Sequence, residues 1–384
     1  MNPRGEFALF ATSTAKELGE KICHCLEEIV VYNYKALQNR AWKELSLQER
    51  KVMEFGEQSE KNCGLKLEQY EKKHFGEGEM DPQIMADVNV RDKDVFIVHH
   101  HFTPDSGNNL NENLMESCLF ASSLKFAGAA FITLIMPYYP YARGDKQHAK
   151  DGIPAAFVAK MFETACIDRI ITMDLHADQI IGFFNPKLTK VEHMYASPLI
   201  IHKLKEVIGE NKEYKIGGPD PGAAKKGTNF ARKLNVPLIM GYKTREHATG
   251  DLVLKILGNV KGYHIAIVDD IVGTGGTIEK VIDCIAEYGA LDIIAACTFA
   301  TLVGNGVERM QRLYDNGNGP LKLLIGTDAI PQPNYVKYAP WYCELTISKL
   351  IAQAIYEIHT SGSVSQLYKP ESVDEFGLWI SDST

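Results

Sequence analysis

The 384-residue chain has no uninterrupted apolar run near the roughly 20 residues that a membrane-spanning helix requires, so no membrane association is expected. Its opening stretch, MNPRGEFALFATST, lacks the long apolar core of a secretory signal. Repeated CxxC pairs are missing as well. The eight cysteines (Cys23, Cys25, Cys63, Cys118, Cys166, Cys284, Cys297, Cys343) lie scattered, which reads as reduced thiols of a cytoplasmic protein rather than a disulfide frame. Excess positive charge is absent: 41 basic against 49 acidic residues leave a net charge of −8, which argues against a nucleic-acid partner. Small phosphorylated ligands stay open, since one local site can hold them whatever the net charge. What is present is a globular composition, 45% hydrophobic and 23% charged, over a length that suggests two domains.

Short apolar runs alternate with amphipathic stretches. Strands are expected at Phe7–Ala11, Asp94–Val98, 130–136 and Arg169–Met173, with helices over 15–28, 111–126 and 153–165. A second series follows: helix Ser197–Ile208, strand 215–217, helix 223–234, strands 237–240 and 264–268, helix 277–288, and strands 292–298 and 322–326. This alternation predicts an α/β fold of mostly parallel sheets with helices on both faces. Ligands of such sheets sit beyond the carboxyl ends of the strands. Domains are expected over 1–190 and 191–369, with an acidic tail over 370–384. The interval 33–73 is charged, proline-free and helix-prone, and it predicts one or two surface helices inserted in the first domain: a solvated appendage or oligomer contact.

The clearest chemistry lies in IAIVDDIVGTGGT, residues 265–277. An apolar strand delivers Asp269 and Asp270, and Gly273, Thr274, Gly275, Gly276 and Thr277 then open a helix. Glycines let backbone N–H groups approach an anion closely, while threonine hydroxyls and the helix amino terminus add donors. Two acids directly ahead of a phosphate cradle would repel the phosphate, so they should face something else. The vicinal hydroxyls of a ribose, or a hydrated Mg²⁺, fit that role. A tight strand-to-helix turn with acidic caps is the plainer reading; the apolar strand, acid pair and TGGT together favour the phosphoribosyl one.

Other segments carry isolated chemical groups. TMDLHADQIIGFF (172–184) brings Asp174 and His176 to the end of a strand, and GPDPGAAKK (218–226) holds the carboxylate of Asp220. Arg143 follows an aromatic stretch, MPYYPYAR, that offers a platform for a planar base, and a guanidinium suits bidentate phosphate contact. Lys243 and Arg245 in GYKTREHATG would by themselves be a solvated face. His99-His100-His101 looks like a metal cluster, yet consecutive strand residues point to opposite faces. Cys23-His24-Cys25 has no second ligand pair, and both groups read as structural.

Together these segments resemble the ribose-phosphate pyrophosphokinase (phosphoribosyl pyrophosphate synthetase) family. The acid-pair turn is similar to the ribose 5-phosphate loop that this family shares with type I phosphoribosyltransferases. PYARGDK (140–146) resembles its PYxRxDK, TMDLHADQIIGFF its TMDLHxxQIxGFF, GPDPGAAKK its SPDxGGAKR, and NENLME (111–116) its NDNLME. The likeness runs from Phe7 to about Tyr368, interrupted over 33–71. It implies two pseudo-symmetric phosphoribosyltransferase-type domains, with a final helix over 345–359 returning to the first. The implied reaction passes the β,γ-diphosphoryl group of ATP to the 1-hydroxyl of ribose 5-phosphate, giving phosphoribosyl pyrophosphate (PRPP) and AMP. By resemblance, Asp269, Asp270 and Gly273 to Thr277 hold ribose 5-phosphate, while His176 and Asp220 hold Mg²⁺. Arg143 and His176 contact ATP. Phe75, Glu77 and Glu79, in an FGEGE stretch similar to the family's FSDGE, contact it from a neighbouring subunit. Lys243 and Arg245 are the implied catalytic cations, stabilising charge on the transferring group. A homo-oligomer built from dimers, a hexamer, is implied as well.

Three departures stand out. Gly273 occupies a position where the family carries an acid, Gly144 replaces a polar residue, and Lys150-Asp151-Gly152 replaces a basic-serine run that binds phosphate regulators. They keep open a catalytically impaired regulatory subunit of the same fold. A phosphoribosyltransferase, which consumes PRPP, is disfavoured by the TMDLHADQIIGFF and PYARGDK segments.

Overall fold

A computed structural model describes residues 5–104, 109–147, 149–209, 213–218, 224–245 and 252–368, with backbone alone at 224, 225, 242–245 and 252–255. The expected acidic tail lies outside these residues. The described chain divides into two compact units, one of residues 5–194 with 347–368 and one of residues 195–346. Among the described residues no helix is long and apolar enough to cross a membrane.

In the first unit, β1 (Phe7–Ala11) is followed by α1 (Lys16–Leu37), α2 (Leu47–Lys61), β2 (Leu67–Glu68), β3 (Tyr70–His74) and β4 (Met80–Ile84). Then come β5 (Asp94–Val98), α3 (Leu110–Phe126), β6 (Phe131–Ile135), α4 (Pro154–Thr164), β7 (Arg169–Met173) and β8 (Lys190–Met194). Six strands form one sheet in the order β2-β1-β5-β6-β7-β8, parallel throughout. FALFA, DVFIV and FITLI are apolar without alternation, and every residue of β5 is buried, as helices on both faces of a sheet require.

The interval 33–73 is more embedded than its charge suggests. α1 runs past residue 28 to Leu37, and α2 opens on a reciprocal capping box between Ser46 and Glu49. α2 buries Val52, Phe55, Gly56 and Ser59, a helical stripe within a charge-rich segment. A side chain at Gly56 would meet the Tyr34 ring at 2.3 Å, so glycine permits the close approach of α2 to α1. The Gln58 amide exchanges two hydrogen bonds, both 2.9 Å, with the backbone of Phe7. Leu67 and Glu68 then extend the sheet beside β1, and β3 pairs with β4 as an antiparallel hairpin. The expected surface appendage is therefore partly core and partly sheet edge.

The second unit comprises α5 (Ser197–Ile208), β9 (Tyr214–Gly218), α6 (Ala224–Leu234), β10 (Leu238–Arg245), β11 (Leu252–Leu257), β12 (His264–Val272) and α7 (Gly276–Glu287). β13 (Ile293–Ala300), α8 (Gly306–Tyr314), β14 (Leu321–Thr327), α9 (Asn334–Lys337) and β15 (Tyr342–Leu345) complete it. Its sheet runs β11-β10-β9-β12-β13-β14-β15, with β10 and β11 antiparallel and the other pairs parallel. The last helix, α10 (Ser348–Thr360), belongs to the first unit. There the ring of His359 packs on Phe7 and Phe55, and its Nδ1 lies 2.9 Å from Oδ2 of the buried Asp94.

Candidate active site

β12 does not stop at Val268. Its pairing with β13 continues from Asp269 opposite Cys297 to Ile271 opposite Phe299 and Val272 opposite Ala300, so the acid pair lies inside the strand. Ile271 and Val272 are β-branched and Val272 is buried, which favours continued pairing over an early turn. The backbone N–H of Asp270 donates to Asp269 Oδ1 at 2.8 Å. Burial pushes the Asp269 carboxyl up to about 7, and its hydrogen bond to and repulsion from Asp270 add to the rise. Lys226 on α6 acts in the opposite direction. Reading the motifs singly passed over this cation, although the final basic position of GPDPGAAKK carried the signal.

Beyond the strand, Gly275 adopts a left-handed backbone (φ 76°) and α7 starts at Gly276 with no side chain capping its amino terminus. The first N–H groups of a helix have no intrahelical acceptor, so this turn is built to receive an anion.

In the first unit, the candidate residues gather after β6 and β7. Asp174 takes a left-handed conformation (φ 35°) directly after β7, which is uncommon for a non-glycine residue. Its N–H donates to Met194 O at 2.9 Å, and the next N–H, of Leu175, donates to His193 Nε2 at 2.9 Å. Asp174 is buried, whereas His176 is exposed. A short 3-10 turn, Asp178–Phe183, follows. The loop after β6 turns at Tyr141 (φ 59°), whose hydroxyl donates to Asn111 Oδ1, and leaves Arg143 exposed. A Cβ at Gly144 would stand 3.0 Å from the ring of Pro154, the first residue of α4. This departure from the family pattern lets the proline ring pack on the turn.

Phe75, Glu77 and Glu79 occupy the tip of the β3–β4 hairpin, where Phe75 N–H donates to Glu79 O (2.9 Å) and Gly78 N–H to Phe75 O (3.0 Å). All three side chains are exposed, Phe75 to 51%. The hairpin is anchored at its base. There the fully buried Glu116 of α3 accepts from Tyr70 Oη at 2.7 Å and Lys72 Nζ at 2.9 Å.

Asp220 lies outside the described residues. Lys243 and Arg245 are placed by backbone register alone, opposite Leu254 and Leu252 on the β10–β11 pair. Among the described residues no three His, Cys, Asp or Glu side chains converge on one point. A cation that keeps water and substrate oxygens needs only one or two protein ligands, and in the first unit the exposed His176 imidazole is of a type that suits it. His99, His100 and His101 are all buried. His99 Nδ1 lies 2.8 Å from Thr12 Oγ1 and His101 Nε2 lies 3.1 Å from Ser117 Oγ. Burial pushes His99 down to about 3 and lowers His101 strongly, so both rings are neutral and structural at physiological pH.

Two units built on mostly parallel sheets, one with an acid-bearing strand running into an uncapped glycine turn, define an α/β protein of the phosphoribosyltransferase type. The N-terminal domain of ribose phosphate pyrophosphokinase matches residues 7–166, and the phosphoribosyl transferase domain matches 191–315. The ribose-phosphate pyrophosphokinase of Fusobacterium nucleatum is 34% identical over 317 residues, spanning 82% of this chain and 95% of that one. The enzyme of the same name from Caldanaerobacter subterraneus is 35% identical over 309 residues, 80% of this chain and 92% of its own. A crystal structure of phosphoribosylpyrophosphate synthetase from Mycobacterium smegmatis matches with a TM-score of 0.74 and 28% identity, covering 93% of this chain and all of that one. The chain belongs to the ribose-phosphate pyrophosphokinase family, a family of enzymes.

Proposed function

We propose that this protein is a ribose-phosphate diphosphokinase, moving the β,γ-diphosphoryl group of ATP to the 1-hydroxyl of ribose 5-phosphate and releasing AMP. The observation that carries the reading is the Asp269–Asp270 strand leading into left-handed Gly275 and the uncapped start of α7. Gly273, Thr274, Gly275, Gly276 and Thr277 receive the 5-phosphate. Asp269 and Asp270 accept from the ribose hydroxyls. The Asp269 carboxyl is raised to about 7, and hydroxyl donors bind best to its ionised, acceptor-only form.

In this reading His176 and Asp220 hold Mg²⁺, which when bound screens the ATP phosphates and makes the β-phosphorus a better electrophile. Arg143 contacts the ATP phosphates, and Phe75, Glu77 and Glu79 serve the nucleotide of a neighbouring subunit. Lys243 and Arg245 balance the charge that spreads over the transferring group. The anomeric hydroxyl attacks the β-phosphorus in line, its proton passes to solvent, and AMP leaves. An exposed hairpin tip serving a neighbour implies a homo-oligomer, a hexamer built from dimers. Eight cysteines, none in a disulfide, agree with a cytoplasmic location.

The test is direct: purified protein with Mg²⁺, ATP and ribose 5-phosphate should form AMP and PRPP. Bound ATP with no AMP released rules the reading out. A second reading, a regulatory subunit with an impaired site, is favoured by Gly273, which leaves the ribose-phosphate loop one carboxylate short of the family pattern. Turnover by the isolated chain, abolished in Lys243→Ala, excludes it. Release of AMP rather than inorganic pyrophosphate excludes a phosphoribosyltransferase.

A further inference from the structure

We propose that Arg309 is a positioning residue for the ribose-phosphate cradle, an inference that rests on the reading of residues 273–277 given above. α8 supports this loop at three consecutive points. At its start, a Cβ on Gly306 would fall 2.8 Å from Gly273 O, so only glycine lets the helix come this close to the loop. One turn on, Arg309 Nη1 donates to Thr274 O at 2.7 Å. Beside it, Met310 Cε lies 3.1 Å from where a Cβ on Gly275 would stand, closing the space under the left-handed residue.

The hydrogen bond to Thr274 O orients the donor that follows it. In a trans peptide the C=O and the next N–H point in opposite directions. Holding the Thr274 carbonyl toward α8 therefore turns the Gly275 N–H away from α8, the orientation in which it can serve as a ligand donor. Glycine at 275 could otherwise flip between several backbone conformations at little cost. The guanidinium is itself oriented: Arg309 Nε lies 3.1 Å from Glu279 Oε2 on the first turn of α7. Glu279 Oε1 also accepts from Arg312 Nη2 at 2.9 Å, and the same nitrogen reaches Asp283 Oδ2 at 3.1 Å. A planar, multi-donor group can grip a carbonyl and a carboxylate at once, a geometry that a lysine ammonium does not reproduce. Arg309 thus joins the loop to the start of α7, and pre-organises the cradle before the sugar phosphate arrives.

The experiment compares wild type with Arg309→Gln, Arg309→Lys and Glu279→Gln. Steady-state KM for ribose 5-phosphate and for ATP, calorimetric binding of ribose 5-phosphate, and thermal melts are measured. Arg309→Gln should weaken ribose 5-phosphate about tenfold in both KM and Kd, with the KM for ATP unchanged. Arg309→Lys should recover part of the loss, and Glu279→Gln should show a smaller one. Unchanged affinity for ribose 5-phosphate, or equal rises in both KM values, overturns the proposal. If Arg309→Gln does not fold, Arg309→Lys decides by the same selectivity. Wild-type protein that binds ATP but no ribose 5-phosphate instead sinks the functional reading, and the role of Arg309 with it.

Discussion

The side-chain amide of Gln179 donates to the carboxylate of Asp145 at 2.7 Å and to its backbone carbonyl at 3.0 Å. Gln179 belongs to the segment after β7 that carries Asp174 and His176, and Asp145 to the one after β6 that carries Arg143. One side chain thus ties together two loops whose candidate residues must keep a common geometry. Replacing Gln179 with Leu leaves the buried Asp145 without this donor, and stability should fall by about 1–3 kcal/mol. The KM for ATP should rise with it. Urea denaturation alongside initial rates checks both, and wild-type values for either would mean that the loops hold their shape independently.

Acid lability should follow from the buried histidines. His99 titrates near 3 in the folded protein against roughly 6.5 when unfolded, so the unfolded chain binds more protons throughout that window. Stability is complete above about pH 6.5 and drops as pH falls, by about 1.4 kcal/mol per unit for each such histidine. His99→Gln, which keeps a polar side chain near Thr12 Oγ1, should flatten this acid limb. Urea midpoints at pH 7.5 and 5.0 provide the comparison, and equal slopes for the two proteins would contradict the assignment.

Asp269 should give the opposite sign. Its carboxyl is raised from 3.8 to about 7, so between those values the ligand-free folded protein holds a proton that the unfolded chain has released. That contribution to stability grows as pH falls through the window and disappears above about pH 7. Ribose 5-phosphate using the ionised form should release a proton on binding and bind more tightly from pH 6 to 8. Calorimetry in buffers of different ionisation enthalpy measures the proton count, which should approach zero in Asp269→Asn.

The hairpin anchor offers a structural test. Glu116 is fully buried and accepts from both Tyr70 and Lys72, so Glu116→Leu removes the carboxylate that both donors share at the base of the hairpin. Breaking a buried pair from one side costs about 3–5 kcal/mol. Limited proteolysis should cut faster between Phe75 and Glu79 than in wild type. An unchanged cleavage rate would show that strand pairing alone holds the hairpin.

A backbone test completes the set. Gly275→Ala combines a left-handed backbone with a methyl 3.1 Å from Met310 Cε, and should lower stability by about 1–2 kcal/mol. Affinity for ribose 5-phosphate should fall in parallel, read by the same calorimetry.

By itself the sequence determined the parallel α/β plan and the acid-pair turn. Runs such as FALFA and DVFIV declare buried strands, and glycines next to Thr274 and Thr277 declare an anion-binding helix start, because the forces involved act between near neighbours. Only tertiary structure decided what supports those segments. Gln179 finds Asp145 34 residues away, Tyr70 finds Glu116 across 46, and Arg309 finds Thr274 across 35. A local pattern holds no record of such partners, because chain folding, not spacing, brings them within hydrogen-bond reach. The 33–73 interval has the same origin: its charge and helices are legible in composition, while the burial of Phe55 and the close contact at Gly56 exist only once α2 meets α1.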